Sequence, residues 1–430
     1  MSLATLPAVS SLPVMGAVPA TLPNVAFQQT KTQPATEIKT SDEIKFSASI
    51  GNSSKIPATA GLFDLSPIDA SAGPRTHEDY EAIFKWVETV TGNPIAFKTK
   101  ESRDAYIKAI QGKPQDAYDT KGFLAKIGVQ GVDTYGRDDK GVHALLKTIE
   151  YTPESHEVSW PLKIAQKVFF WFFKAFPKTF DKIADLADKH YFTKKDTKDQ
   201  SWLKVQVPQP GIDPKEPLIS PQDMRQQYAN NVISQSLAVA RPRTTQEIFD
   251  GLFKLRPPKE ISFLFEHDFH MGTPKPGENP QNYGTFAIAK RLGFTDDQAK
   301  NFATANYDMD LNNTAYGDTD AFPKAMPSKH FNLNKDKPEN GDTRFIWAQR
   351  HLDAAVELAK RGRFKDAERE IGYGLHGIQD AFAHGHIRLT SHAITDNIPD
   401  GVDYNPVAAY EATLATIGYL NEYMKRLHEV

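Results

Sequence analysis

The chain has 430 residues, a formal net charge of -3 and no cysteine. Its length is enough for more than one buried core, and its charge provides no general attraction to nucleic acid. The lack of cysteine excludes disulfides and thiolate zinc sites, and no apolar run reaches the roughly eighteen residues of a membrane-spanning helix.

Residues 1–30 carry no charged side chain, and Pro7, Pro13, Pro19 and Pro23 interrupt every apolar run. A secretory signal needs a basic start and an unbroken apolar stretch, so none is expected. Thr, Ser, Ala and Pro dominate to about residue 60, and a disordered leader over 1–75 is the expectation. Such a leader suits an effector that is cytoplasmic before delivery and is secreted or delivered without a recognisable signal peptide, and it equally suits a cytosolic enzyme with a flexible tail.

From Thr76 to about Thr152, Tyr80, Ile83, Phe84 and Val87 recur at helical spacing before Gly- and Asp-rich turns. This opens a helical accessory region expected over 76–205. Within it, Trp160–Lys178 reads as one aromatic and basic helix, with Pro161 in its first turn. At 100° per residue, Lys163, Lys167, Lys174 and Lys178 fall within an arc of about 60°, and apolar side chains fill most of the remainder. That pattern fits a helix at a phospholipid membrane surface, and it equally fits a nearly buried helix with one lysine stripe. Pro- and Gly-rich sequence between Gln206 and Pro221 marks a linker, after which a catalytic domain is expected over 222–430.

In that part the spacing predicts helices over Asp223–Ala240 and Thr245–Leu255, and a capping box Thr295-x-x-Gln298 opens another. Phe345–Arg361 places Ile346, Leu352, Ala355, Val356 and Ala359 on one face. Asn405-Pro406 opens a terminal helix with Val407, Tyr410, Leu414, Ile417 and Met424 inward. Period-two alternation is almost absent. The fold class expected is mainly α, a multi-helix bundle with ligands projecting inward.

The run from Gly374 to His386 concentrates metal-ligating side chains. In a helix His376, Asp380 and His384 stand at i, i+4 and i+8, within an arc of about 80°, opposite Ile371, Leu375, Ile378 and Phe382. Asp380 is the one fixed charge between Ile371 and Ile387, whereas a solvated face would carry Lys, Glu or Arg. Ala and Gly between the ligands are expected to leave room for ions. Seven of the thirteen histidines (His267, His270, His330, His376, His384, His386, His392) come with Asp268, Asp308, Asp310 and Asp396 nearby in sequence. Imidazole with carboxylate suits Zn2+, with manganese or iron as alternatives. The ligands are too many for one ion, so two or three are expected. His351, on an ordinary amphipathic helix, is expected to be exposed.

His376-x-x-x-Asp380-x-x-x-x-x-His386 resembles the helix motif of the zinc-dependent phospholipase C and single-strand nuclease superfamily. His392-x-x-x-Asp396 looks like the ligand pair that follows, with Asp in place of Glu. Ser328-Lys329-His330-Phe331 resembles the segment with a central His ligand, and Asp308 or Asp310 holds the place of the upstream Asp, both ligand and candidate base. Glu266–His270 sits where the first His ligand belongs. The resemblance covers about 265–400. The chain departs from the family in having some 260 residues before His267, where family phospholipases use a free N-terminal Trp as a ligand, so His267 or Asp268 would replace it. His384 and His386 remain alternatives for one ligand.

The resemblance implies hydrolysis of a phosphodiester, with Asp308 or Asp310 orienting or deprotonating the attacking water. Phospholipase C releasing diacylglycerol from a glycerophospholipid such as phosphatidylcholine is the first expectation. A zinc nuclease or phosphatase of the same superfamily is the alternative, and a non-catalytic metal-binding structural or interaction protein is the third. The aromatic-lysine helix and the acidic balance make a nucleic-acid substrate the weaker option.

Overall fold

The computed structural model describes residues 75–91, 94–111, 122–129, 138–149, 160–193, 217–220, 284–311, 338–388 and 404–428, with isolated positions between them that include His330. The expected leader, the expected helices over 223–240 and 245–255, and His267, Asp268, His270, His392 and Asp396 lie outside the described residues. Asp310 lies within a described helix, but its side chain is outside the description.

Among the described residues the chain is helical, with no strand. In chain order the helices are α1 His77–Thr91, α2 Lys100–Ile110, α3 Phe123–Lys126, α4 Asp139–Leu146, α5 Trp160–Ala175, α6 Pro177–Thr193, α7 Gly284–Leu292, α8 Asp296–Leu311, α9 Thr343–Lys360, α10 Phe364–Ala383 and α11 Pro406–His428.

Local sequence sets where these helices begin and end. The expected capping box is present: the Gln298 amide donates to Thr295 Oγ1 (3.2 Å), and the Thr295 amide donates to Gln298 Oε1 (3.0 Å). Asp342 caps α9, accepting from the Arg344 amide at 2.9 Å. Gly362, at φ 76°, stops α9 in a Schellman turn, where Arg363 N–H reaches the Leu358 carbonyl and Gly362 N–H the Ala359 carbonyl. The same turn reverses the chain into α10, so α9 and α10 are antiparallel neighbours.

α10 is the axis of the bundle, and from Glu370 to Ala383 every residue is buried. Its contacts give the register of its neighbours. Asn301 meets Glu368 and Asn306 meets His376, so α8 runs parallel to α10. Gln379 meets Thr416 and Gly374 meets Tyr419, so α11 runs antiparallel to it. Neighbouring helices close in on two glycines of α10 that precede His376. A Cβ on Gly372 would stand 2.5 Å from the Phe302 carbonyl oxygen, and one on Gly374 1.9 Å from Tyr419 Oη.

The first helices share this core. Trp86 of α1 packs edge-on to Tyr410 of α11, and Arg75 pairs with the buried Glu411 at 2.5 Å. Tyr106 of α2 accepts from the Val407 amide (3.2 Å) at the start of α11. Phe123 of α3 lies against Phe345 and Tyr419. One apolar cluster runs from Tyr80 to Leu427, so the described helices of 76–205 and those after 284 are packed as one body.

The single helix expected over 160–178 is two helices. Phe176 separates them, and Pro177 takes the first position of α6, where its missing N–H costs nothing. A second correction concerns His351, which is fully buried rather than exposed. Its Nδ1–H donates to Glu370 Oε2 across the α9–α10 interface at 2.7 Å.

Gly374→Ala tests the packing of α10. In an exposed helix the change gains about 1 kcal/mol of propensity. Here the clash with Tyr419 should outweigh that gain and destabilise the protein by about 1–3 kcal/mol, read as a lower urea midpoint. An unchanged midpoint would mean that α11 yields freely at Tyr419.

Candidate metal centre

Polar side chains along α10 have to be satisfied inside the bundle, because no water-facing side of the helix remains between Glu370 and Ala383. Three of them stand together. His376 and Gln379 are fully buried and Asp380 is 1% exposed. His330 comes from the segment before α9 to meet them and is buried as well.

The ligand atoms form a small triangle. His330 Nδ1 lies 2.7 Å from Asp380 Oδ2 and 3.1 Å from His376 Nε2, and His376 Nε2 lies 3.2 Å from the same carboxylate oxygen. A tetrahedral ion with bonds of about 2.0–2.1 Å needs its ligand atoms roughly 3.3 Å apart. The triangle is close to one face of such a site. Among the described residues this is the one group of three with metal-ligand geometry.

The hydrogen bonds behind His376 settle its tautomer. Asn306 Nδ2 donates to Thr285 Oγ1 and to Gln379 Oε1, each at 2.9 Å, which turns Asn306 Oδ1 toward the imidazole. His376 Nδ1 lies 3.2 Å from that oxygen and must donate to it. His376 Nε2 then presents a lone pair to the triangle. It faces a carboxylate oxygen and a second imidazole nitrogen, so a proton or a cation has to offset the lone pairs there. An orienting hydrogen bond to the far nitrogen is also what a metal-ligating histidine ordinarily has. Gln379 completes the support by donating to Thr285 Oγ1 and Thr416 Oγ1, both at 2.9 Å. Four helices, α7, α8, α10 and α11, therefore hold one imidazole.

The end of α10 is held by Arg344, which is fully buried. Its guanidinium forks onto Asp342 (Nε to Oδ1 2.9 Å, Nη2 to Oδ2 2.7 Å) and donates to the carbonyls of Asp380 (3.0 Å) and Gly385 (2.8 Å). A cation at the C-terminus of a helix is favourable against its dipole, and here it shares the Asp380 carbonyl with the His384 amide and adds a bond to the Gly385 carbonyl beyond the helix end. Arg344 Nη1 further reaches the His330 carbonyl at 3.5 Å. His384 Nδ1–H donates to the same carbonyl at 3.1 Å. This leaves His384 3.9 Å from Asp380 Oδ2, its ring stacked 6.4 Å from that of His330. His386 is half-buried in the turn beyond α10.

The structure thus brings together His330, His376 and Asp380, with His384 beside them. Asp308, on α8, is half-buried and outside the triangle. Burial pushes its carboxyl above the ordinary range, and Arg369 partly opposes this. Asp310 stands one helical turn beyond Asn306. Asn306, Gln379, Thr285, Thr416 and Arg344 were not singled out from the sequence. The available signal was a polar residue in each otherwise small or apolar stretch, most visibly Gln379 beside Asp380.

The chain matches no family model, no curated protein and no solved structure.

Two substitutions test the supports rather than the ligands. Asn306→Ala should lower zinc affinity about 10–100-fold, measured by competition with a chromogenic chelator, and should destabilise the fold by about 1–3 kcal/mol through the partners it strands; an unchanged affinity would remove Asn306 from the site. Arg344→Met leaves Asp342 buried without its partner and should cost about 3–5 kcal/mol, read by chemical denaturation.

Proposed function

We propose that this protein is a zinc-dependent phosphodiester hydrolase of the phospholipase C type. The observation that carries the reading is the triangle of two imidazole nitrogens and one carboxylate oxygen, with sides of 2.7, 3.1 and 3.2 Å, on a helix whose His376 and Asp380 match the superfamily motif. Two nitrogens and an oxygen form a borderline donor set that suits zinc.

His330, His376 and Asp380 would hold the ion, and Asn306 keeps His376 in the tautomer that can ligate. A bound zinc ion supplies Lewis acidity to a phosphoryl oxygen and acidifies water. Asp310 or Asp308 would accept a proton from the attacking water as its oxygen bonds to phosphorus and the P–O(ester) bond breaks, and the departing alkoxide would take a proton from solvent. His384, whose Nδ1–H donates to the His330 carbonyl at 3.1 Å, and His386 are the alternatives for a ligand to a further ion. One of the two, with His267, His270, His392 and Asp396, completes the ligand set of two or three ions that the motif order implies. A lipid substrate is favoured over nucleic acid by the net charge of -3 and by exposed aromatic side chains on α5.

A second reading, an ion held for structure alone, draws on the depth of the ligands, with His376 and Asp380 at 0% and 1% exposure. Metal content of the purified protein, with hydrolysis of phosphatidylcholine vesicles and single-stranded DNA measured side by side, separates the readings. Bound zinc with release of diacylglycerol is expected. Cleavage of DNA alone would reassign the substrate, and bound metal with no turnover on either would favour the structural role.

The base has its own test. Asp310→Asn should lower kcat by about 10²–10⁴-fold, the range expected on losing a general base, and Asp308→Asn should be milder. The reverse ranking would move the role to Asp308.

A further inference from the structure

α5 and α6 meet at Phe176 without a loop, and each divides its side chains sharply. Phe170, Phe173, Phe180 and Ala184 turn inward, with Phe173 and Phe180 packed edge-on at 4.9 Å. Ile164, Val168 and Trp171 of α5, Phe176 at the junction, and Ile183 and Leu186 of α6 turn outward, with Trp171 62% and Leu186 70% exposed. On α5, Ile164, Val168 and Trp171 recur at i, i+4 and i+7 and form one ridge, with Phe169, 52% exposed, on another face of the helix. The rings of Trp171 and Phe176 touch at 5.9 Å and carry the ridge into the junction. Large apolar side chains exposed in series mark an interaction surface.

Charge identifies the partner. The described charged side chains of this elbow that face outward are Lys167, Lys174, Lys178 and Lys182. Asp181 and Asp185, the described acidic side chains of α6, are held by Arg388. Asp185 Oδ1 lies 2.7 Å from Arg388 Nε and Asp181 Oδ1 3.6 Å from its Nη1, and Asp139 of α4 pairs with the same guanidinium. Among the described residues the outward face thus combines an apolar ridge with four exposed lysines, and the part-exposed Asp185 beside them is held by Arg388. A protein partner would need a matching acidic and apolar surface, whereas a bilayer with anionic headgroups offers both properties at one depth.

We propose that the α5–α6 elbow is a docking element for an anionic lipid surface, with its ridge in the boundary between headgroups and acyl chains and its lysines on lipid phosphates. The proposal deepens the hydrolase reading by naming the surface from which that reading's substrate is drawn, but lipid binding itself requires no turnover. The elbow is also fastened to the metal centre's end of the bundle. Arg388 follows His384 and His386 by a few residues, and His143 of α4 donates to the Lys174 carbonyl at 3.3 Å. Docking through the elbow would therefore hold the centre at a set height over the bilayer.

The test is co-sedimentation of the full-length protein with phosphatidylglycerol–phosphatidylcholine vesicles and with pure phosphatidylcholine vesicles. Binding to the anionic vesicles is expected, weakening as salt rises. The exposed double variant Trp171→Ser/Leu186→Ser should bind about tenfold more weakly or worse, with unchanged circular dichroism, melting and metal content. Lys174→Glu/Lys178→Glu should lose the preference for anionic vesicles. His376→Ala should bind as the unmodified protein does, so vesicle binding without hydrolysis would count against the hydrolase reading alone. A wild-type protein that ignores the vesicles, or a folded double variant that binds them unchanged, overturns the proposal. So does a self-association, seen by sedimentation velocity, that the double variant abolishes while vesicles remain unbound: the ridge would then be an interface between copies of the chain.

Discussion

The constraint on which the rest of the structure depends is the complete burial of a helix that carries His376, Gln379 and Asp380. Water cannot solvate these groups, so each must find a partner in the protein or in an ion, and an unmatched buried polar group costs on the order of 1–3 kcal/mol. The surrounding helices are arranged as the answer. α7, α8 and α11 bring Thr285, Asn306 and Thr416 to the side of His376 and Gln379. The segment before α9 brings His330 to Asp380, and α9 itself brings Arg344 to the carbonyls at the helix end. The buried apolar side chains supply the bulk of the folding energy, but these few polar contacts decide which helix stands where.

The same constraint explains the chemistry concentrated at Asp380. Its Oδ2 faces three imidazoles, at 2.7, 3.2 and 3.9 Å. A carboxylate so placed in a dry interior is stable only if positive charge accumulates beside it. Protons on the histidines can supply that charge, and so can a metal ion. The demand for positive charge beside Asp380 is thus set by the fold itself, whichever of the two meets it.

Much of the scaffold was legible in the sequence because it is locally encoded. Tyr80, Ile83, Phe84 and Val87 mark α1 by spacing alone, and all four are buried. Thr295 with Gln298, and Pro406 after Asn405, announce helix starts that the structure contains. The stripe His376–Asp380 was visible for the same reason. Contacts distant in sequence were not. His351 looked like a surface residue because its partner, Glu370, stands nineteen positions away on another helix. The wheel of α10 separated imidazoles from aliphatics but could not reveal that neighbours cover both faces. Nor could it reveal the close approach of Phe302 to Gly372 and of Tyr419 to Gly374, which only the tertiary fold brings about. The break at Phe176 was available from Pro177 and was outweighed by the continuous aromatic run.

The hydrogen bonds joining Thr285, Asn306, Gln379 and Thr416 have a further consequence, for register. Helices lined with Ala, Leu and Ile can slide by one turn, about 5.4 Å, and still meet apolar surface, because residues four apart are so often alike. The amide and hydroxyl groups of this network have no such second setting. Sliding any one of the four helices would strand several donors and acceptors at once in a place water cannot reach. The bundle thus holds a code for its own alignment, written in four side chains, and the apolar core fills in whatever arrangement that code selects.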